Sequence, residues 1–319
     1  MTGKAKYCID LELPGMLHGK ILRSPYPHAR IVNIDTKKAE KLTGVRVVVT
    51  GKDAPKGRVG LIPDRPVLAQ DVVRFVGEGV AAVAADTVQI AEEALDLIDI
   101  QYDQLPAVFD PEEAIRPDCP VRIHPDLSQY AQNYLGYPMR LALDIPNVFN
   151  APRVRKGDVE KGFQESDLII ENRFSTARLQ HCCLEPHDSV ARPETDGGVT
   201  VWSATNSVYN FKREIAMLYG ITRSKVRVIA PYVGGNFGGR ESPGFILPDI
   251  VVLLALKSGK PVKIVLSRDE VFYDATSKEA MIIYIKDGVK KDGTLMARQM
   301  RVLINAGAYS GMSVIISQM

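Results

Sequence analysis

The stretch Val233-Gly-Gly-Asn-Phe-Gly-Gly-Arg-Glu241 sets four glycines in six positions around one aromatic ring, with a cation and a carboxylate following. Glycine admits backbone with φ > 0 and lets a ligand reach the main chain with no Cβ in the way. Successive amides in such a turn can converge into an anion-binding nest. A helix starting beyond it would add its N-terminal partial charge. The strand-like run 225–230 leads in, and the apolar run 245–256 leads away at a length that suits a helix. The expectation is a backbone cradle for something large, flat or anionic, with Phe237 pressed against it and Arg240 and Glu241 at its edge. By spacing alone, a tight strand-to-helix connection is an equally good reading. The stretch is not a P-loop, because no Gly-Lys-Ser/Thr closes it, and its paired glycines do not fit the G-x-G-x-x-G dinucleotide fingerprint.

The densest polar cluster is Gln180-His-Cys-Cys-Leu-Glu-Pro-His187. His181 and His187 suit neither a helical i,i+4 metal pair nor a finger spacing. Adjacent Cys182 and Cys183 would point apart on an extended chain, so a half-buried strand followed by a Pro turn is the expectation for these residues taken alone. No Ser, His and Asp share an elbow motif that would mark a nucleophile and its base.

The elements that must position these residues follow from periodicity. Alternation over 17–24 and 28–35 predicts two strands split by Ser24-Pro-Tyr-Pro27. Further strands are expected at 45–50, 65–68, 72–85 and 98–102, with a helix over 87–98 and a short helix at 37–42 capped by Thr36. Residues 116–153 are rich in proline, polar residues and isolated aromatics and read as a linker laid over a surface. Beyond it come a capped short helix at 157–163, strands at 168–176, 198–203, 225–230 and 260–268, and a hairpin of 280–286 with 294–304 around Lys290-Lys-Asp-Gly293. Asn206 or Ser207 would cap a helix over 208–219 that Gly220 ends. Mixed strands and helices of this kind make an α+β protein.

The totals exclude several classes. Forty basic against 38 acidic residues, net +2, leave no electrostatic footprint for nucleic acid. The four cysteines form no C-x-x-C pair, so an iron–sulfur cluster or zinc ribbon held by this chain is not expected. Few cysteines suit a reducing compartment. The start, Met1 to Tyr7, lacks the apolar core of a signal peptide, and the most apolar run is too short to span a bilayer. The expectation is a cytoplasmic chain with no membrane partner.

Six segments in order carry a resemblance over nearly the whole chain: Thr2–Tyr7, Leu11–His18 with Arg23–Arg30, Val76-Gly-Glu-Gly-Val-Ala-Ala-Val83, Leu184-Glu-Pro-His187, Gly234–Glu241, and Gly307-Ala-Tyr309. Together they resemble the large, molybdenum-binding subunit of the xanthine dehydrogenase and aldehyde oxidase family of molybdenum hydroxylases. The resemblance implies an α/β-hammerhead domain over 1–115, the linker at 116–153, and the first part of a molybdopterin-binding α+β domain over 154–319. It implies oxidation of a purine-like N-heterocycle or an aldehyde with water as the oxygen source. Carried over, the cofactor-binding residues are Thr205, Asn206, Gly235, Asn236, Phe237 and Gly238, and Glu241 lines the substrate pocket. The bland alternative for Glu241 is a helix-start carboxylate favoured by the dipole.

The sequence departs from the family pattern in three places. Ala204-Thr-Asn206 stands where a Ser-Thr-Gln stretch is usual, so a shorter amide takes the place of Gln. Asn236 and Arg240 stand where Gly and Lys are usual. The catalytic Glu, a base, is expected outside this chain, which points to a split subunit or a truncated product that works only in a complex. The implied partners are a second molybdopterin-region chain, an iron–sulfur subunit and an FAD subunit. The implied cofactor is molybdenum with molybdopterin, in its plain or cytosine-dinucleotide form. The alternative is a non-catalytic scaffold or paralogue that binds no cofactor.

Overall fold

The computed structural model describes residues 3–130, 133–134, 137–138 and 144–317. The readings that fall on Met1, Thr2, Met319 and the middle of the 116–153 stretch lie outside the described residues.

The N-terminal part contains β1 (Leu17–Arg23), β2 (Ala29–Asp35), α1 (Lys37–Glu40), β3 (Val45–Thr50), the two-residue strands β4 (Arg58–Val59), β5 (Arg65–Pro66) and β6 (Val72–Val73), β7 (Gly79–Ala85), α2 (Val88–Asp96), β8 (Asp99–Gln104) and α3 (Pro111–Ala114). The expected strand over 72–85 is thus split in two. Thr87 caps α2, its hydroxyl accepting from the Ile90 amide at 3.2 Å. Thr36 makes no such bond to α1 and donates instead to Glu40 at 2.6 Å. A short pair, β9 (Asn133–Tyr134) and β10 (Tyr137–Pro138), follows. Cys119 and Val121 are buried, and Tyr130 and Phe149 pack on Leu61, Ile62 and Val314, so this stretch contributes to a core as well as crossing the surface.

The C-terminal part contains α4 (Val159–Gln164), β11 (Leu168–Thr176), β12 (Asp188–Pro193), β13 (Val199–Ser203), α5 (Val208–Tyr219), β14 (Val226–Ile229), α6 (Leu247–Ser258), β15 (Val262–Val265), α7 (Arg268–Asp274), β16 (Ala280–Val289), β17 (Leu295–Asn305) and α8 (Ser313–Ile316). Asp158 caps α4 and Gly220 ends α5 in the left-handed conformation, both as the local residue types dictate.

One seven-stranded sheet joins the two parts in the order β14-β13-β12-β15-β1-β7-β3. The seam is the parallel pairing of β1 with β15, Leu17 opposite Val262. Against one face lies α6, whose run Ile250–Ala255 is apolar on every side and wholly buried, and beside it Phe211 and Ile215 of α5. Such a helix belongs in a core. The small residues Ala81, Val83 and Ala85 on the other face let Ala91 and Ala94 of α2 pack close. Three-stranded sheets complete the fold: β6-β2-β8, and β11-β16-β17 built on the hairpin around 290–293.

The seven-stranded sheet brings β12, β13 and β14 side by side. The loops leaving them, 180–187 before β12, 204–207 after β13 and 230–246 after β14, therefore meet at one place.

Candidate functional site

The chain leaves β14 at Ile229 and runs without regular structure to Ile246. Within it Gly235 has φ +113°, Phe237 +53° and Gly238 +88°. A Cβ on Gly234 would lie 2.5 Å from the Cβ of Glu185, and one on Gly235 would combine left-handed backbone with a 3.1 Å contact to the Cβ of Cys183. The first glycine pair is therefore required by close approach to the 180–187 segment and by backbone sign. Phe237 carries a left-handed backbone that costs a non-glycine residue roughly 1 kcal/mol, and its ring is 74% exposed.

The loop satisfies some of its own polar groups. The Gly238 amide donates to Asn236 Oδ1 at 2.9 Å, and the Gly239 amide to the Asn236 carbonyl at 2.8 Å. The amides of Gly235, Asn236 and Phe237 have no partner among the described residues. Asn236 Nδ2 is buried and also unpartnered. Buried donors are normally paired, so a run of free amides, an orphaned side-chain amide and an uncovered phenyl ring fit a ligand rich in acceptor oxygens with a flat face. A pterin carrying an oxo-metal group has those properties.

The floor is the 180–187 segment. The expected strand is absent there: apart from a bridge between Leu179 and Lys278 the segment is irregular, and Cys182 sits at φ +48°. Cys182 is exposed and Cys183 buried, with the Cys183 thiol reaching the Asn236 carbonyl at 3.6 Å. The His181 ring lies along the second glycine pair, its Nδ1 3.0 Å from where a Gly239 Cβ would stand. Glu185 Oε2 accepts from the Gly234 amide at 2.8 Å and from Arg240 Nη1 at 2.9 Å.

Arg240 corrects the reading that placed it at the rim. It is 0% exposed, turned under the loop, and its guanidinium also donates to the carbonyls of Glu185 and Pro186. The fork-shaped donor set explains why an arginine works here: one planar group ties the glycine loop to three acceptors of the floor. Burial, then the nearby Arg240 charge, pushes His187 down to about 3. Burial, then the Glu185 charge, pushes Asp188 up to about 7.

Thr205 is buried; its hydroxyl donates to the Arg240 carbonyl at 2.5 Å and accepts from the Ser207 amide at 2.9 Å. It fixes the loop after β13 to the cradle. Asn206 is not the cap of α5: Ser207 takes that position without a side-chain cap bond, and Asn206 Nδ2 donates to Glu241 Oε1 at 3.0 Å. Nor is Glu241 a helix-start carboxylate. Its carbonyl closes a turn with the Phe245 amide, and α6 begins only at Leu247. The helix expected over the apolar run 245–256 begins two residues later, at Leu247.

Support comes from α7 and the loop after it. Arg268 holds the Cys183 and Leu184 carbonyls at 2.8 and 3.2 Å, and Thr276 donates to the Gly239 carbonyl at 2.9 Å. From the N-terminal part, Arg65 donates to the Gly244 carbonyl at 3.0 Å and, with Arg23, to Asp274. Burial alone would raise Asp274, but these two guanidinium groups hold it below the usual carboxylate range. Sequence reasoning placed Gly235, Asn236, Phe237, Gly238, Thr205, Asn206 and Glu241 at one site, and the structure brings all seven together. It missed His181, Cys183 and Glu185 as the floor, although the quoted Leu184-Glu-Pro-His187 segment was a signal for it. Among the described residues no group of three His, Cys, Asp or Glu is arranged to hold a metal ion.

Comparison with known proteins matches residues 2–106 to the aldehyde oxidase and xanthine dehydrogenase a/b hammerhead domain and residues 143–319 to the molybdopterin cofactor-binding domain. The chain is 41% identical over 312 residues to a probable xanthine dehydrogenase subunit from Bacillus subtilis, spanning 97% of this chain and 39% of that one. It is 35% identical to the nicotinate dehydrogenase large molybdopterin subunit of Eubacterium barkeri, over 97% of this chain and 68% of that one. Among solved structures it is similar to the aldehyde oxidoreductase from Desulfovibrio gigas, with a TM-score of 0.86, 26% identity, and coverage of 98% of this chain and 34% of that one. It is also similar to the quinoline 2-oxidoreductase from Pseudomonas putida 86, with a TM-score of 0.82, 32% identity, and coverage of 94% and 37%.

Proposed function

Since the chain belongs to the aldehyde oxidase and xanthine dehydrogenase family and carries its hammerhead and molybdopterin cofactor-binding folds, we propose that it is the molybdenum-cofactor subunit of a multi-subunit hydroxylase acting on a purine-like N-heterocycle. The observation that carries this reading is the open run of main-chain amides at Gly235, Asn236 and Phe237 beside the unpartnered Asn236 Nδ2. Bound there, the cofactor would supply a two-electron acceptor and a Lewis acid that makes water nucleophilic near neutral pH.

The chain's own residues bind and orient. Gly235, Asn236 and Gly238 offer donors and uncovered backbone to the cofactor, and Phe237 offers a ring face. Thr205 keeps the loop after β13 in register with the cradle. Asn206 holds one oxygen of Glu241 and leaves the other to accept an N–H of the heterocycle. The base that completes the site comes from polypeptide outside this span, and electrons leave through an iron–sulfur and an FAD subunit. The division at 1–115, 116–153 and 154–319, a cytoplasmic location and a cytosine-dinucleotide form of the cofactor belong to the same reading. Among the described residues no helix is long and apolar enough to cross a membrane.

The test is metal and pterin analysis of the complex purified from its source. Stoichiometric molybdenum and pterin, with hydroxylation of hypoxanthine or nicotinate to a dye acceptor, is the expected result. A folded complex with neither would make the chain a scaffold and end the proposal.

A further inference from the structure

Two arginines of the N-terminal part reach one buried carboxylate of the C-terminal part. Arg23 of β1 donates to Asp274 Oδ2 at 2.8 Å, and Arg65 of β5 donates to Asp274 Oδ1. Arg23 also donates to Glu270 at 3.3 Å and to the Gly77 carbonyl at 2.9 Å, so its bonds end on α7 and on the turn before β7. Arg65 reaches further. Its Nη1 donates to the Gly244 carbonyl at 3.0 Å, 179 positions along the chain. Pro66 follows Arg65 and keeps its backbone extended. The guanidinium lies 5.6 Å from the Phe75 ring centroid and 5.8 Å from that of Tyr309. Two rings and a carboxylate leave this flat cation little freedom in where its last donor points.

Gly244 sits inside the turn that Glu241 opens, where the Phe245 amide donates to the Glu241 carbonyl at 3.1 Å. Its φ is +136°, and a Cβ there would stand 3.1 Å from Thr276 Cγ2. The turn is thus seated against the exit of α7 with no room to spare. Glu241 has two anchors as a result. Asn206, from the loop after β13, holds the tip of its side chain at 3.0 Å. Arg65 holds the backbone from which that side chain springs. A lysine at 65 would keep the charge beside Asp274. It could not reach a carboxylate and a carbonyl at once at fixed angles, which is what the arginine fork does.

We infer that Arg65 is a positioning residue for substrate: through the Gly244 carbonyl it sets where the Glu241 carboxylate stands. The hammerhead domain, which carries Arg65, thereby tunes the choice between N–H-bearing heterocycles and substrates that have no N–H to offer. The inference rests on Glu241 facing substrate, as the previous subsection proposes. Arg65 touches no reacting group and acts only through the turn. Arg23 shares Asp274 but bonds nothing in that turn, so it serves as the control.

The test places Arg65→Lys and Arg23→Lys separately in the full chain, and the enzyme is purified from its source. With Arg65→Lys, KM for hypoxanthine should rise about 3- to 10-fold while kcat changes less. KM for benzaldehyde should move by less than about twofold in the same variant. In a chain that already carries Glu241→Ala, adding Arg65→Lys should shift the hypoxanthine KM by less than about twofold, because the group it positions is gone. Amide hydrogens of 241–247 should exchange at least about fivefold faster in Arg65→Lys and at the wild-type rate in Arg23→Lys. The inference is overturned if both substrates move together, if the KM effect survives without the Glu241 carboxylate, if Arg23→Lys behaves like Arg65→Lys, or if exchange in the turn is unchanged. An Arg65→Lys chain that fails to fold overturns it as well, since the residue would then support the fold as a whole. If the purified enzyme holds no molybdenum or leaves hypoxanthine untouched, the functional reading fails. The exchange measurement then decides by itself whether Arg65 sets the Glu241 turn.

Discussion

The side-chain amide of Asn206 donates to the Glu241 carboxylate at 3.0 Å, joining the loop after β13 to the far end of the glycine cradle. Two residues 35 apart in sequence thus act on one pocket wall. The shorter amide, which at first reading suggests a weakened cofactor contact, has a partner within the chain.

From this pairing, Asn206→Ala in the assembled enzyme should raise KM for an N–H-bearing heterocycle about 3- to 10-fold while changing kcat less. That is the effect of losing roughly 1 kcal/mol of orientation in a hydrogen bond to a charged group. Glu241→Gln should lower kcat/KM for the heterocycle further and leave an aldehyde, which has no N–H to offer, little affected. Steady-state kinetics on both substrates decides it.

Phe237 stores backbone strain that its exposed ring does not repay within the chain. Phe237→Gly should therefore raise stability by about 0.5–1 kcal/mol and at the same time lower cofactor retention. Gly235→Ala should do the reverse on stability, costing about 1–3 kcal/mol from left-handed backbone and the Cys183 contact. Thermal unfolding beside molybdenum analysis reads both signs.

The Arg240–Glu185 pair lies under the loop with no exposure of the arginine. Removing one partner leaves a buried charge without its counterion, so Arg240→Met or Glu185→Ala should cost about 3–5 kcal/mol. Arg240→Lys keeps the charge but loses the fork, and should cost less. Urea unfolding of the 319-residue chain measures each.

Asp188 and His187 pull stability in opposite directions with pH. Asp188 is raised in the fold to about 7, so the folded state holds a proton that the unfolded state has released. Its contribution is full below about pH 4 and is lost as pH rises through about 7. His187 is depressed to about 3, so the unfolded state binds protons first and stability falls as pH drops from about 6.5 toward 3. Asp188→Asn should thus stabilise the chain at pH 8 by on the order of 2–4 kcal/mol and by little at pH 4. Equal effects at the two pH values would refute the assignment.

Residue type and short-range spacing made the glycine cradle legible, because four glycines around one ring have few other uses. The same local rules misled where a distant partner decided the outcome. Asn206 stands where a helix cap belongs, yet Glu241 claims its amide. Arg240 follows the loop like a rim residue, yet Glu185, 55 positions earlier, draws it inside. The 180–187 segment looked like a strand because its burial comes from the glycine loop laid on it and not from a ladder. The hairpin around 290–293 was plain from its turn, but the groups that lie against it, Glu112 of α3 and Phe163 of α4, come from too far away in sequence to be read from it.

The seam between β1 and β15 has a consequence for synthesis. Leu17 leaves the ribosome long before Val262, and the slot that β1 fills beside β7 stays open on its other side until then. The early strands must wait with an unpaired apolar edge for roughly the time needed to make 240 more residues, on the order of 10–50 s at ordinary elongation rates. A nascent chain in that state invites strand addition by neighbours. Its yield should depend on holding chaperones until the late strand arrives, even though the finished sheet shows no trace of the delay.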